Sequence, residues 1–248
     1  MAKATVHEMQ AGLRDQFLRL RMGSHYGEAL RLVRESWAWM LATGSRFWGR
    51  TLHWHAHLEI VTTEAHNELS PDLMTTLDAH VDKTMAVAAD RRPIMLEWWA
   101  TLPAADRLLI EGYYLRPGDK VVGDMAAFTH LHLDLLHRFD REAPVPDART
   151  PETDETDLAR LTLQRAVGDF PDDRRAVLEA LLIGEPGNQS FYARLTHAVA
   201  ELEWRFGPQP DWDAPPPPRP QVRERLVSWA FVAGCGLAVA SVIYAIIK

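Results

Sequence analysis

Apolar residues recur at spacings of three and four along most of residues 1–206, and no run alternates apolar and polar residues. The first pattern is typical of amphipathic helices, whereas alternation would indicate half-buried strands. The pattern therefore predicts an all-α fold, a bundle of two helix-turn-helix-like units followed by one C-terminal transmembrane helix. The predicted helices span residues 5–22, 25–42, 46–69, 71–89, 94–101, 103–116, 120–141, 154–169, 171–183 and 189–206.

Proline and glycine predict where these helices start and stop. Ser70-Pro71 combines a preferred capping residue with proline at the first helical position. Pro117-Gly118 and Pro186-Gly187 are typical of turns. Two segments rich in proline predict boundaries. The expected organisation is an N-terminal helical unit at 1–142, a linker at 143–153, a second helical unit at 154–206, a proline-rich spacer at 207–225 and a transmembrane helix at 226–247.

The predicted transmembrane helix is a run of 22 residues, 226–247, without a charged side chain. A bilayer core about 30 Å thick needs roughly 20 apolar helical residues to cross it. Four consecutive prolines precede this run, at 215–218. Because polyproline extends by about 3.1 Å per residue, we expect the spacer to hold the helical units away from the bilayer.

Flanking charges predict the orientation of this helix. Arg219, Arg223 and Arg225 precede the apolar run, and Lys248 follows it. The positive-inside tendency places the large N-terminal part in the cytoplasm, and the first residues show no basic and then apolar signal sequence. We expect a single-pass protein of a bacterial inner membrane, although a tail-anchored protein of another membrane would show the same pattern.

Small residues form one face of the predicted transmembrane helix. Such a face lets two helices approach closely, so we expect association with another membrane helix or a second copy of this chain. The residues of this face are Ala230, Gly234, Ala238, Ser241 and Ala245.

The formal charge of the chain, −7, is unevenly distributed. Residues 143–218 alone carry 14 acidic against 7 basic side chains. This excess makes nucleic acid an unlikely partner, since binding to phosphate requires clustered Lys and Arg. It favours a protein partner with a basic surface, which would approach the acidic second unit faster.

Histidines provide one candidate metal site. On helices, His53 and His57 share a face, as do His130, Asp134 and His137. Two such faces could supply nitrogen and oxygen ligands to Zn or Fe. The paired Glu-x-x-His motifs of di-iron bundles and the His-Glu-x-x-His motif are missing from the sequence, so ordinary surface histidines are the simpler interpretation and we expect no cofactor.

Known catalytic and nucleotide-binding motifs are missing from the sequence. It contains no Gly-x-Ser-x-Gly nucleophile, Gly-x4-Gly-Lys-Ser/Thr phosphate loop or Gly-x-Gly-x-x-Gly loop. A Trp-rich region, from Trp37 to Trp54, fits either a helical core or contact with a membrane interface. The prediction is therefore a non-enzymatic protein.

An internal repeat links two parts of the chain. The pattern Thr-His-x3-acid-Leu-x2-Arg-Phe occurs at 129–139 and at 196–206. The segments that begin at Leu102-Pro103 and Pro171, together with 190–202, resemble region 4 of bacterial sigma factors. The resemblance implies a degenerate, duplicated helix-turn-helix, with 190–202 as its recognition helix. That helix is short of Lys and Arg, which implies that DNA binding has been lost.

The sequence thus predicts a membrane-tethered, non-enzymatic adaptor or assembly subunit whose cytoplasmic helical domain binds a protein partner. Its architecture is similar to that of the helical membrane subunits of type VI secretion systems, with no shared motif. Two alternatives stay open: a membrane-anchored sigma-like transcription regulator, and a metal-binding protein or enzyme that uses the histidine clusters.

Overall fold

The computed structural model describes residues 6–43, 69–115, 124–168, 170 and 172–207, and these residues form helices without strands. The all-α prediction is therefore confirmed for this part of the chain. The helices are α1 (Val6–Gly23), α2 (Tyr26–Thr43), α3 (Pro71–Ala86), α4 (Ala88–Thr101), α5 (Ala104–Leu115), α6 (Met125–Glu142), α7 (Glu155–Ala166), α8 (Asp172–Leu182) and α9 (Pro186–Phe206).

Helix α9 is the centre of the fold. It packs against α1, α3, α5, α6, α7 and α8, and every residue from 187 to 203 is buried. A helix that is surrounded in this way needs apolar or paired side chains on all sides. Small and aromatic residues supply the contacts, and Phe191, Tyr192, Ala198 and Val199 are among them.

Two hydrophobic clusters lie around α9. The larger contains Trp98, Phe128, Phe139 and side chains from α3 to α9. The smaller joins α1 and α2 to Ala200. Trp37 is buried in this smaller cluster, so this tryptophan of the Trp-rich region belongs to the core. The region's residues from 44 to 54 lie outside the described part.

Side chains and prolines define several helix starts. Asp124 and Asp154 each accept hydrogen bonds from two backbone amides, which caps α6 and α7. The predicted start at Ser70-Pro71 is confirmed, with proline at the first position of α3. Each start follows from the sequence, because a short polar side chain accepts hydrogen bonds from the first amides of a helix, and proline, which has no N–H, is accepted at its first position.

Two predicted boundaries are wrong. The sequence predicts a break between helices at 71–89 and 94–101, but the break lies at Val87, and Pro93 is inside α4. Burial of Arg91, Met95 and Trp98 along one side of α4 holds this helix together across the proline. Pro186 begins α9 instead of forming a turn, because proline is accepted at the first helical position.

The segment at 143–153, predicted to be a linker, is attached to the start of α9. The carboxylate of Glu152 accepts hydrogen bonds from the amides of Gly187 and Asn188, at 3.3 and 3.0 Å. The Asn188 side chain in turn accepts from the amides of Glu152 and Thr153. The helices before and after this segment belong to one compact unit.

Among the residues that the structure describes, no helix combines the length and the apolar character that crossing a bilayer requires. The predicted spacer beyond residue 207 and the predicted transmembrane helix at 226–247 lie outside those residues.

Candidate functional site

Buried ion pairs connect α1 to the central helix. Arg14 pairs with Glu201, and the Arg21 guanidinium donates to the Glu203 carboxylate at 2.6 and 2.8 Å. Arg21 also donates to the backbone oxygen of Ala166 at 3.0 Å. Burial raises the pKa of both glutamates, and the paired guanidiniums oppose that rise in part. These contacts join α1, α7 and α9 through charged groups that are buried from solvent.

A second buried cluster joins α4, α6 and α9. Asp140 accepts from Arg91 at 3.2 Å and pairs with Arg194. The two arginines also donate to the backbone oxygens of Ala143 and Arg149, at 3.1 and 3.0 Å. The cluster therefore fixes the start of the 143–153 segment as well as three helices.

His197 lies between these clusters. Its ring is fully buried, and neither ring nitrogen has a hydrogen-bond partner in the described part of the chain. Burial, together with the charges of Arg91 and Arg14, holds the pKa of His197 well below its usual value. The ring is neutral at neutral pH, so its 3.7 Å approach to Glu201 is a contact without an ion pair.

His132 is also buried, but its hydrogen bonds are satisfied. The carbonyl oxygen of Phe128 can only accept, so Nδ1 of His132 carries the proton and donates to it at 2.8 Å. Nε2 is then the acceptor for the Tyr114 hydroxyl at 2.6 Å. Burial lowers the pKa of His132 to about 4. Both histidines are therefore neutral core residues, and His132 connects α6 to α5 through Tyr114.

These polar groups are buried and hold helices in place. Their carboxylates and guanidiniums contact each other and backbone oxygens. Buried pairs of this kind can fix one arrangement of the elements that carry them. A partner would contact the exposed surface of the helical body instead.

The outer side of α8 exposes apolar side chains, in contrast to the buried charged groups around α9. Leu178 and Leu182 point into the core, whereas Val177 and Ile183, the latter in the turn directly after α8, are 51% and 60% exposed. Ala176 and Ala180 are exposed between them. We call these four exposed residues, 176, 177, 180 and 183, the α8 face. Residues 176, 180 and 183 recur at helical spacing, so they form one continuous strip.

Charged residues surround the α8 face without entering it. The exposed charged residues at its N-terminal end are Asp172, Asp173 and Arg174, and Glu185 is exposed beyond its C-terminal end. Arg175 pairs with Asp172 at 3.2 Å. Glu179 is half-buried and accepts from the amide of Ser70 at 2.9 Å, so its charge is directed toward α3.

Two further large apolar side chains are exposed in the described part, Leu96 on α4 and Leu108 on α5. Each is the only large apolar side chain exposed on its helix among the described residues, and smaller apolar residues are exposed beside both. Single exposed apolar residues are normal on soluble proteins, whereas larger contiguous patches mark interaction sites. The α8 face differs from Leu96 and Leu108 in holding two large apolar side chains within seven positions.

The predicted metal ligands that the structure describes, His130, Asp134 and His137, have different surroundings. His130 is exposed, Asp134 accepts from the indole nitrogen of Trp98 at 2.7 Å, and His137 contacts Glu155 at 2.7 Å. The side chains of Asp134 and His137 are thus engaged with different partners. Within the described ranges, no group of three or more His, Cys, Asp or Glu side chains is arranged to hold a metal ion.

Several predicted site residues lie outside the described part. They are His53 and His57 of the histidine clusters, the small-residue face of Ala230, Gly234, Ala238, Ser241 and Ala245, and the flanking Arg219, Arg223 and Arg225. Their roles stay predictions.

Sequence reasoning missed the α8 face and the ion pairs of α9. The face follows from the run Ala-Val-Leu-Glu-Ala-Leu-Leu-Ile at 176–183, which is apolar on more than one side. That excess was a usable signal, because an ordinary surface helix carries polar residues on its outer side. The ion pairs join residues up to 187 positions apart, and no local pattern predicts them.

The resemblance to sigma factor region 4 assigns residues 190–202 as a recognition helix. These residues belong to α9 and are buried on all sides, so in this fold their side chains cannot reach a DNA groove. The resemblance itself stays a hypothesis. Compared with known proteins, the chain matches no family model, and neither a curated protein nor a solved structure is significantly similar to it.

Proposed function

We propose that this protein is a membrane-tethered, non-enzymatic adaptor. The residues 226–247 cross a membrane as a single helix, with the helical body on the cytoplasmic side. The helical body binds a protein partner and thereby recruits it to the bilayer or holds it in a membrane assembly.

The sequence supports the tether. A run of 22 uncharged residues matches the roughly 20 that a bilayer core requires. Arginines precede the run, which favours a cytoplasmic position for the helical body. The proline-rich spacer would hold the helical body away from the bilayer. The small-residue face provides a surface for pairing with a second membrane helix.

The α8 face carries the proposal that the body binds a partner. The body has a complete core around α9, so the exposed Val177 and Ile183 are not required to close it. An apolar strip that the fold leaves uncovered is typical of a protein interaction site. The acidic excess of residues 143–218 would steer a basic partner toward the same part of the chain.

Fractionation of cells tests the tether. The full-length chain should stay in the membrane pellet after alkaline carbonate washing, and a version without residues 226–248 should be released. Leu237→Arg places a charge within the proposed span, at a cost of about 3 kcal/mol on insertion scales, and should weaken retention. Leu237→Ile is the matched control and should behave as the original. Release of the full-length chain by carbonate would contradict the tether.

Cross-linked purification from the same membranes tests recruitment. The full-length chain should enrich a defined membrane complex that the version without residues 226–248 does not. If both versions bring down RNA polymerase instead, the sigma-like alternative replaces the adaptor. If neither version enriches a protein, the adaptor function is wrong.

A further inference from the structure

Helices α1 and α2, which we call the α1–α2 pair, have an apolar core of their own. Their buried apolar side chains, Phe17 and Val33 among them, form the smaller hydrophobic cluster. In the described part of the chain, the members of this cluster from other helices are Ala200 and Trp204 on α9 and Met85 on α3. The larger cluster contains no described residue of α1 or α2. The two apolar cores are therefore nearly separate.

Polar groups connect the α1–α2 pair to the rest of the fold. Two buried ion pairs join α1 to α9. The Tyr192 hydroxyl of α9 donates to the backbone oxygen of Met22 at 2.7 Å. An exposed ion pair joins Arg19 of α1 to Asp82 of α3, at 2.7 Å. The boundary between the pair and the other helices thus combines a few apolar contacts with buried charges.

A boundary of this kind costs less free energy to open than an apolar one. Separating apolar groups exposes hydrocarbon to water, and nothing offsets that loss. Separating a buried ion pair lets water solvate both charges again, which offsets much of the lost attraction. The exposed pair of Arg19 adds little, because solvent already screens it. We therefore expect the α1–α2 pair to leave α9 more easily than the helices of the larger cluster leave each other.

Buried polar atoms inside the α1–α2 pair act in the same direction. Both polar side-chain atoms of Gln16 on α1 and the hydroxyl of Ser36 on α2 are buried, and none has a hydrogen-bond partner in the described part of the chain. A buried polar group without a partner gives up the hydrogen bonds that it makes with water. Water supplies these bonds when the pair opens, so they lower the free-energy cost of opening.

We propose that the α1–α2 pair opens as one cooperative unit while α3 to α9 stay folded, and that this opening exposes the carboxylates of Glu201 and Glu203. Once separated, the pair unfolds, because helices depend on tertiary packing for most of their stability. The other helices keep the larger cluster. In the closed state, arginines of α1 occupy both carboxylates, and in the open state solvent does. This inference goes beyond the proposed function and does not depend on it.

Hydrogen exchange of the full-length chain in mild detergent tests the opening, with mass spectrometry at rising urea concentrations below the unfolding transition. Peptides from α1 and α2 should exchange together, about a hundredfold faster than peptides from α6, because they open without global unfolding. The rates of the three helices should converge as urea approaches the transition, where global unfolding dominates exchange.

A substitution in the larger cluster separates opening of the pair from global unfolding. Leu182 is fully buried in that cluster. Leu182→Ala destabilises the closed and the open state alike, relative to the unfolded chain. It should therefore speed exchange in α6 about thirtyfold or more and leave exchange in α1 and α2 unchanged.

A substitution at the boundary should act on both helices of the pair. Arg21→Met removes the partner of the buried Glu203 carboxylate, and should speed exchange in α2 as well as in α1 by about a hundredfold or more. Arg31→Met is the matched control, because it breaks an ion pair on the exposed surface of α2, and should speed exchange less than about fivefold.

Any of three results overturns the inference. Exchange of α1 and α2 as slow as that of α6 at every urea concentration would mean that the described helices open only together. Equal acceleration of α1, α2 and α6 by Leu182→Ala would mean the same. Fast exchange in one helix of the pair and protection in the other would mean that the pair is not a unit. If Arg21→Met does not fold, the comparison between the original chain and Leu182→Ala decides.

Discussion

Helices α8 and α9 follow each other in the chain and distribute their side chains in opposite ways. Helix α9 buries Arg194, Glu201 and Glu203 at the centre of the fold, whereas α8 and the turn after it expose Val177 and Ile183. Burying charges costs free energy unless each one is paired, and exposing apolar residues gives up free energy that burial would supply. The polar contacts of α9 connect the helices around it, whereas the described fold leaves the α8 face exposed, and we propose this face as a surface for partner binding.

The largest expected effect comes from removing one partner of a buried ion pair of α9. Arg21→Met leaves the buried Glu203 carboxylate without its main partner, and should lower the free energy of unfolding by about 3–5 kcal/mol. Urea denaturation followed by circular dichroism measures it. Arg21→Met combined with Glu203→Leu should recover much of the loss, because no unpaired charge is then buried.

An exposed pair is the control for this prediction. Arg31 contacts Glu28 and Glu35 on the surface of α2, and Arg31→Met should cost less than about 1 kcal/mol. If Arg21→Met costs no more than Arg31→Met, the buried pairs do not hold α1 and α9 together.

A smaller effect is expected where α9 begins. A Cβ atom on Gly187 would lie 2.1 Å from the Thr150 carbonyl oxygen and 2.5 Å from a Glu152 carboxylate oxygen. Gly187→Ala must therefore displace the 143–153 segment, and should cost about 1–3 kcal/mol in the same denaturation experiment. Gly27→Ala is the matched control, since its Cβ would meet only the movable His25 ring, at 3.3 Å. Equal stability of the two variants would show that the segment is not held against α9.

The smallest effect is the pH dependence of the stability that the buried histidines contribute. The pKa of His132 is about 4 in the fold and about 6.5 in the unfolded chain, so the unfolded state binds more protons between these values. Stability from this residue is nearly complete at pH 7.5 and is lost as the pH falls, by about 1.4 kcal/mol at pH 5.5. His197, whose pKa is also lowered, contributes in the same direction.

A variant isolates the histidine contribution. The raised pKa values of Glu201 and Glu203 have the opposite sign, because the folded state then holds protons more tightly than the unfolded state. These carboxylates are present both in the original chain and in His132→Gln, so they cancel in the difference. Thermal melts from pH 7.5 to 5.5 should show a shallower decline for His132→Gln. Parallel curves would contradict the assignment of a neutral His132.

The sequence predicts local features of this fold well and long-range ones poorly. Helical spacing and the Ser70-Pro71 start are local, and the structure agrees with both. The start of α9 depends on Glu152, which lies 35 residues before Gly187, so Pro186-Gly187 alone could not reveal it. His130 and His197 occupy equivalent places in the repeat, yet the first is exposed and the second is buried. Tertiary packing decides such differences.

The surface was equally hard to predict from the pattern alone. Val177 and Leu178 are neighbours of similar character, and only the packing of α8 against α7 and α9 shows that the first faces outward. The acidic excess of residues 143–218 was visible in the sequence, but its relation to an apolar strip was not. The residues at 226–247 lie outside the described part, so the tether still rests on sequence.

One measurement tests the adaptor account most directly: cross-linked purification of the full-length chain from native membranes, compared with a version without residues 226–248, with the bound proteins identified by mass spectrometry. The account predicts a defined membrane complex that is enriched only with the full-length chain. Failure of both versions to enrich a protein would contradict it.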